Sequence, residues 1–259
     1  MADVNGLKYT VMAAERIGTT TPTGAFYLVD RESYEKAVAW KEKYGNTIGP
    51  DDPTVFGRDW YVRGASNTQK MGVRTYDPYD YMVEKWAPTQ QHDLSIGLTQ
   101  GKTSYNLGLG LLDQSGMLKP AKEDKFTRHN VSLKISSELN KYVTVRAGAL
   151  YSRRDKKYAY ATSSTTADPW YYLYRWSSIY PLGNDENGDP IRSPESEIGA
   201  ANTANILRSY SNYNLGSTIN INDRWRVDFD YTFSNQDETW KRPGTRFTAR
   251  NSWVARKPG

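Results

Sequence analysis

Six aromatic rings fall between residues 170 and 180: Trp170, Tyr171, Tyr172, Tyr174, Trp176 and Tyr180, with Arg175 among them. Flat rings with a polar edge stack on sugar faces or on peptide side chains, and a guanidinium pairs with an acidic group. Trp170, Tyr171, Tyr172, Tyr174, Arg175 and Trp176 are therefore the candidate ligand-binding residues. Three uses compete for them. They can touch a substrate, touch a protein partner, or pack their own loop against its neighbours.

Other chemistry is thinner. The run Asn184-Asp185-Glu186-Asn187-Gly188-Asp189 has acidic spacing of the kind that holds calcium. It lacks the downstream bidentate glutamate, and Pro190 and Pro194 interrupt it, while Asn187-Gly188 is a strong turn signal. A turn is the preferred reading. His92 and His129 stand at the starts of strands in different hairpins, with no nucleophile beside either, so no acid–base pair is expected. Asp228 and Asp230 share one strand face. Balancing Arg226 or lining a wet surface accounts for them better than glycoside hydrolysis, which needs a set carboxyl separation. The chain has no cysteine, which removes disulfides, thiolate zinc sites and cysteine nucleophiles. No catalytic residue, metal site or cofactor is expected, and the chain is not read as an enzyme. Its 34 basic and 29 acidic residues are dispersed, with a net charge of +5. Without a basic block, nucleic acid is not an expected partner.

Strands must position these residues. Six segments alternate apolar and polar residues at period two, the pattern of a half-buried strand. Their apolar positions are Leu94, Ile96 and Leu98, then Tyr105, Leu107, Leu109 and Leu111, then Val131, Leu133 and Ile135. Val143, Val145, Ala147, Ala149 and Tyr151 follow, then Tyr213, Leu215, Ile219 and Ile221, then Trp225, Val227, Phe229, Tyr231 and Phe233. Leu7, Tyr9, Val11 and Ala13 form a weaker seventh candidate. Short turns at Gln100-Gly101-Lys102, Asn140-Lys141 and Asn222-Asp223-Arg224 alternate with long connections at 113–127 and 155–205. All the short turns then lie at one end of the sheet. That is the layout of an outer-membrane barrel.

Aromatic usage fits the same picture. Twenty Tyr and eight Trp outnumber six Phe, and Tyr and Trp favour boundaries between water and hydrocarbon. Tyr105, Tyr142, Tyr151, Tyr213 and Trp225 lie near strand ends, where girdle placement and plain strand propensity both explain them. No stretch approaches the roughly 20 apolar residues of a spanning helix. Met1-Ala2-Asp3-Val4-Asn5 has no export-signal pattern, so any such signal would lie upstream. One helix is expected over 31–44, N-capped by Asp30 and ended by Gly45. The expected organisation is a long segment 14–91 holding that helix, two hairpins over 92–154, a long loop 155–205, a third hairpin over 206–234, and the start of another loop at 235–259.

Several motifs resemble one family. Asp77-Pro78-Tyr79, Trp86-Ala87-Pro88-Thr89-Gln90-Gln91-His92, Gly101-Lys102-Thr103-Ser104-Tyr105-Asn106, Leu112-Asp113-Gln114-Ser115-Gly116-Met117 and Phe126-Thr127-Arg128-His129-Asn130 occur in an order similar to the early barrel of SusC/RagA-type TonB-dependent transporters. His129 stands where that pattern usually has Tyr. Ser163–Trp170, Tyr171–Trp176, Asp185–Pro194 and Lys241–Arg246 resemble loops of one subgroup. The resemblance implies an all-β, antiparallel up-and-down sheet that is an incomplete segment of a large transmembrane barrel in the cell outer membrane, without its plug. It implies import of glycans or peptides with a SusD-like lipoprotein and TonB as partners, in contact with outer-membrane lipid. Such a chain would be a fragment. The alternative is a soluble all-β carbohydrate-binding module such as a sandwich, in which Leu107, Val145 and Phe229 would converge on a dry centre between two layers. A hydrolase using the strand-face acids is a third reading, without a recognisable constellation.

Overall fold

The computed structural model describes residues 4–18, 30–63, 69–160 and 169–244. The elements run α1 (Val4–Ile17), α2 (Arg31–Tyr44), β1 (Trp60–Arg63), β2 (Gln69–Gly72), α3 (Pro78–Met82), β3 (Thr89–Gln100), β4 (Thr103–Ser115), β5 (Lys125–Glu138) and β6 (Val143–Tyr160). After β6 come α4 (Pro169–Arg175), α5 (Pro194–Ala200), β7 (Asn202–Asn222) and β8 (Trp225–Lys241). Strands β3 to β8 form one antiparallel sheet in chain order, and β1 and β2 form a separate ribbon. The motifs Ser163–Asp168 and Thr245–Arg246 lie outside the described residues.

Alternation fixes the register of the large sheet, because a slip by one residue would invert every side chain. One cross-strand row reads Ile96, Leu107, Leu133, Ala149, Tyr213, Phe233. The adjacent row, on the other face, reads Gly97, Asn106, Lys134, Gly148, Asn214, Thr232. The β3–β4 turn needs a left-handed residue, and Gly101 supplies it at φ +59°. At the other two short turns, Asn140 and Asn222 side chains accept backbone N–H groups two and three residues on, closing Asx turns.

The expectation of a transmembrane barrel segment is corrected here. The sheet is open, and β3 and β8 are each bonded on one side only. Hydrocarbon offers no partner for such unpaired backbone groups, so an open edge is not a membrane-spanning structure. The described residues hold no closed barrel on which an outer-membrane placement could rest. No helix among the described residues is long and apolar enough to cross a membrane. The sheet is not half of a sandwich either. Phe229 is 62% exposed, and the apolar rows do not meet a second layer among the described residues. Among the described residues five helices stand where one was expected. Residues 7–13 are helical rather than a seventh strand: Val4, Leu7 and Val11 are buried at helical spacing, while Tyr9 is exposed.

A cap built from the helices and connecting segments adjoins the long-loop end of the sheet. Helix α2 starts with a capping box between Asp30 and Ser33, and Arg63 of β1 pairs with Asp30 at 2.6 Å. Val4, Leu7 and Val11 of α1 pack with Ala37 of α2, Trp60 and Ile179. A second cluster joins Tyr76, Tyr81, Met82, Leu182 and Ile198. Between them sits Asp59, whose buried carboxylate accepts from Trp40 Nε1 (2.9 Å), Val55 N (2.9 Å), and Arg58 Nε and Nη2 (2.9 and 2.7 Å). Buried Arg74 reaches the same carboxylate at 3.5 Å and donates to the carbonyls of Gly49, Asp52 and Pro53. Burial pushes the Tyr81 hydroxyl up to about 12, with Arg74 opposing, and pushes Tyr76 up further. Both stay neutral hydrogen-bonding groups.

Candidate functional site

The polar face of the large sheet is floored by glycine. Gly97, Gly108, Gly110, Gly148 and Gly216 all fall on polar-face positions, in strands β3, β4, β6 and β7. Polar side chains from neighbouring strands occupy the space these glycines leave. A Cβ at Gly148 would lie 1.9 Å from Asn214 Oδ1, one at Gly108 would lie 2.6 Å from Ser132 Oγ, and one at Gly216 would lie 2.3 Å from Asp230 Oδ1. Glycine in a strand weakens it and commonly marks a close approach. Here it lets amides, hydroxyls and carboxylates lie flat across the sheet.

A cavity of about 550 Å³ opens on this face at the short-turn end. Thr99, Asn106, Lys134, Ser136, Arg146 and Asn214 line it. Arg146 is held in place by Thr218 Oγ1 at 2.8 Å and Asp230 Oδ1 at 3.2 Å. Thr218 in turn donates to Asp228 at 2.6 Å, and Arg226 pairs with Asp228 at 2.8 Å. The Arg226 guanidinium, and after it the Thr218 hydroxyl, hold the Asp228 carboxyl below the usual carboxylate range. Asp228 and Asp230 are thus ion-pair partners on β8, each engaged by an arginine. The wall offers donors and acceptors in alternation and no nucleophile activated by a base.

The sequence-derived aromatic residues are elsewhere. Helix α4 carries Trp170 and Tyr174 exposed, with Tyr171 half-buried and its ring centroid 5.5 Å from that of Tyr174, edge to face. Trp176 packs on the second core cluster and donates from Nε1 to the Tyr180 carbonyl at 3.1 Å. Its position is that of a packing residue. Tyr172 and Arg175 belong to α4, but their side chains lie outside the described residues. The helix contacts α3 and α5 at the long-loop end, so it does not share the cavity with the polar-face residues.

The acidic run is a turn. Asp185 Oδ1 accepts from Asn187 N and Asp189 N at 2.9 and 3.0 Å, and Gly188 has φ +82°. No group of three metal-ligating side chains stands together among the described residues. His92 and His129 both pair with Leu111, on opposite sides of β4, and both are exposed. A full strand therefore separates them.

The cavity-lining positions that residue-type reasoning passed over are Asn106, Lys134, Arg146 and Asn214. The signal was available: glycine at polar-face parity in several neighbouring strands. The aromatic residues of α4 form a separate surface, with Trp170 and Tyr174 exposed.

No family model matches the chain, and no curated protein matches it. The resemblance to SusC/RagA transporters is therefore corrected: short motifs of turn residues, glycine and tyrosine recur in antiparallel meanders of any origin. The SusD-like lipoprotein, TonB, outer-membrane lipid and the import of glycans or peptides rested on that resemblance and are withdrawn with it. What stands is an open antiparallel sheet with a glycine-floored polar face.

Proposed function

We propose that the chain is a carbohydrate-binding module that holds a saccharide on the polar face of the β3–β8 sheet. The observation that carries this is the cavity lined by Thr99, Asn106, Lys134, Ser136, Arg146 and Asn214 above the glycine floor. A sugar presents hydroxyls that both donate and accept. Asparagine amides and Ser/Thr hydroxyls do the same, while Arg146 and Lys134 donate only. Binding without bond cleavage fits a cavity lined by no carboxylate, beside which Asp228 and Asp230 are each engaged by an arginine. The exposed rings of Trp170 and Tyr174 offer a second contact only to a long polymer. From Gly148 to Tyr160 alone, strand β6 runs about 40 Å.

The test is calorimetric titration with a panel of neutral and charged hexasaccharides against the wild type, Asn214→Ala, Gly148→Val and Trp170→Ala. Asn214→Ala removes hydrogen bonds worth about 1 kcal/mol and weakens binding about fivefold. Gly148→Val fills the floor and weakens it further. Trp170→Ala leaves a hexasaccharide unaffected. Loss of binding on Trp170→Ala with no effect at Asn214 would move the site to α4. Absence of binding to every sugar would end the proposal.

A further inference from the structure

Six residues along the strands from the Gly97 row, about 20 Å toward the long-loop end, the polar face carries three arginines side by side. Arg128 of β5 stands opposite Arg154 of β6, which stands opposite Arg208 of β7. Like charges placed directly opposite across strands are destabilising. Arg208 is relieved by Glu238 of β8, which it grips at 2.8 and 3.2 Å. Arg128 and Arg154 have no carboxylate within ion-pair distance among the described residues. The Nε of Arg128 is buried without a hydrogen-bond partner. So is the hydroxyl of Ser152, a residue only 6% exposed, two positions before Arg154 on the same face. Lys156 lies two positions beyond Arg154, again on that face, and Tyr210 sits opposite Ser152. The row therefore gathers cationic donors, two unmet polar atoms and one ring, with nothing anionic opposite the first two arginines.

We propose that Arg128 and Arg154 form an anion subsite for the carboxylate or sulfate of an acidic sugar, so that the module's ligand is an acidic glycan. A guanidinium presents paired N–H donors matched to the two oxygens of a carboxylate or sulfate, and such charge-assisted bonds are about twice as strong as neutral ones. A bound anion neutralises the facing charges and leaves the sugar ring over Tyr210 and the floor beyond it. The inference rests on the carbohydrate reading of the same face and narrows it to one substrate class.

Hexagalacturonate, a chondroitin sulfate hexasaccharide and cellohexaose are titrated into the wild type, Arg154→Gln, the Arg128→Gln/Arg154→Gln double variant, and Arg224→Gln as a charge-matched control in the β7–β8 turn. One of the two acidic sugars binds at least about tenfold tighter than cellohexaose, and which one does so identifies carboxylate or sulfate. Arg154→Gln removes about tenfold of that preference, the double variant abolishes it, and Arg224→Gln keeps it. Without ligand, Arg154→Gln melts at or above the wild-type temperature because a repulsion is gone. Equal binding of acidic and neutral sugars overturns the anion subsite and leaves the carbohydrate reading standing. No binding of any sugar overturns both. Equal losses in Arg154→Gln and Arg224→Gln, or a lower melting temperature for Arg154→Gln alone, also overturn the subsite. They would show bulk charge attraction in the first case and a structural arginine in the second.

Discussion

Asp59 and the Arg128–Arg154 pair show two fates for charge in one chain. Asp59 is fully enclosed, with side-chain exposure of 0%, yet every lone-pair direction meets a donor from Trp40, Val55, Arg58 or Arg74. Removing one partner of such a buried pair strands the other. Asp59→Ala leaves Arg74, itself 3% exposed, without its carboxylate and is expected to destabilise the fold by about 3–5 kcal/mol. Denaturant unfolding measures this, and a loss under about 1 kcal/mol would mean that water replaces the carboxylate. Arg128 and Arg154 are the reverse case: among the described residues no carboxylate pairs with either, and Arg128 Nε has no hydrogen-bond partner.

At the scale of elements, α5 shows how the cap is fastened. Ser193 and Ser196 form a capping box, and Pro194 sits in the first turn, where its missing N–H costs nothing. Glu195 turns back to accept from Gly183 N at 3.2 Å and from Ser193 Oγ at 3.4 Å. Burial pushes its carboxyl above the ordinary carboxylate value, and those two hydrogen bonds only partly oppose the rise. The folded state therefore holds this proton more tightly than the unfolded chain does. Its contribution to stability is full below the unfolded pKa and is lost as pH rises through the raised folded one. Glu195→Gln keeps an acceptor and removes the charge. It is expected to match the wild type at low pH, to exceed it at pH 7, and to flatten the profile between. Thermal melts across pH check this, and an unchanged slope would exclude Glu195 as the cause.

Elements differ in how far their sequences disclosed them. The strands of the large sheet were legible because Leu94, Ile96 and Leu98, or Val227, Phe229 and Tyr231, repeat a strict two-residue period that only a pleated ribbon satisfies. Helix α1 was not, since Leu7 and Val11 lie an even number of residues apart and fit both periods. Val4, buried three residues before Leu7, breaks the tie. The Asp59 hub was invisible: Trp40 and Arg74 reach it from 19 and 15 residues away with no periodic signal between them. The polar-face site lay in plain view as glycines, but glycine in a strand says only that something comes close, not what.

At the scale of the molecule, one broad surface is apolar and open. Leu98 and Leu215 are both 60% exposed and share a row with Tyr105, Ile135, Ala147 and Tyr231. Contiguous exposed apolar patches commonly mark association surfaces. The folded chain is expected to bind a hydrophobic dye strongly, and Leu98→Lys/Leu215→Lys to cut that signal while costing under about 0.5 kcal/mol of stability, the range for surface changes. A large loss of stability would show that the face is covered in solution.

Strand order in the large sheet equals chain order, and this shapes how the protein comes together. The hairpins β3–β4, β5–β6 and β7–β8 each close over a few residues, so they can zip independently and early. Joining β6 to β7 must bring Tyr160 to Asn202 across the excursion 161–201. Entropy charges only slowly for such length, but this closure is the most remote pairing in the sheet. Assembly thus has one natural late step, the seam between a four-stranded block and a two-stranded one. The same seam crosses the arginine row, since Arg154 and Arg208 stand on its two sides. The row is complete only once the last long-range contact has formed.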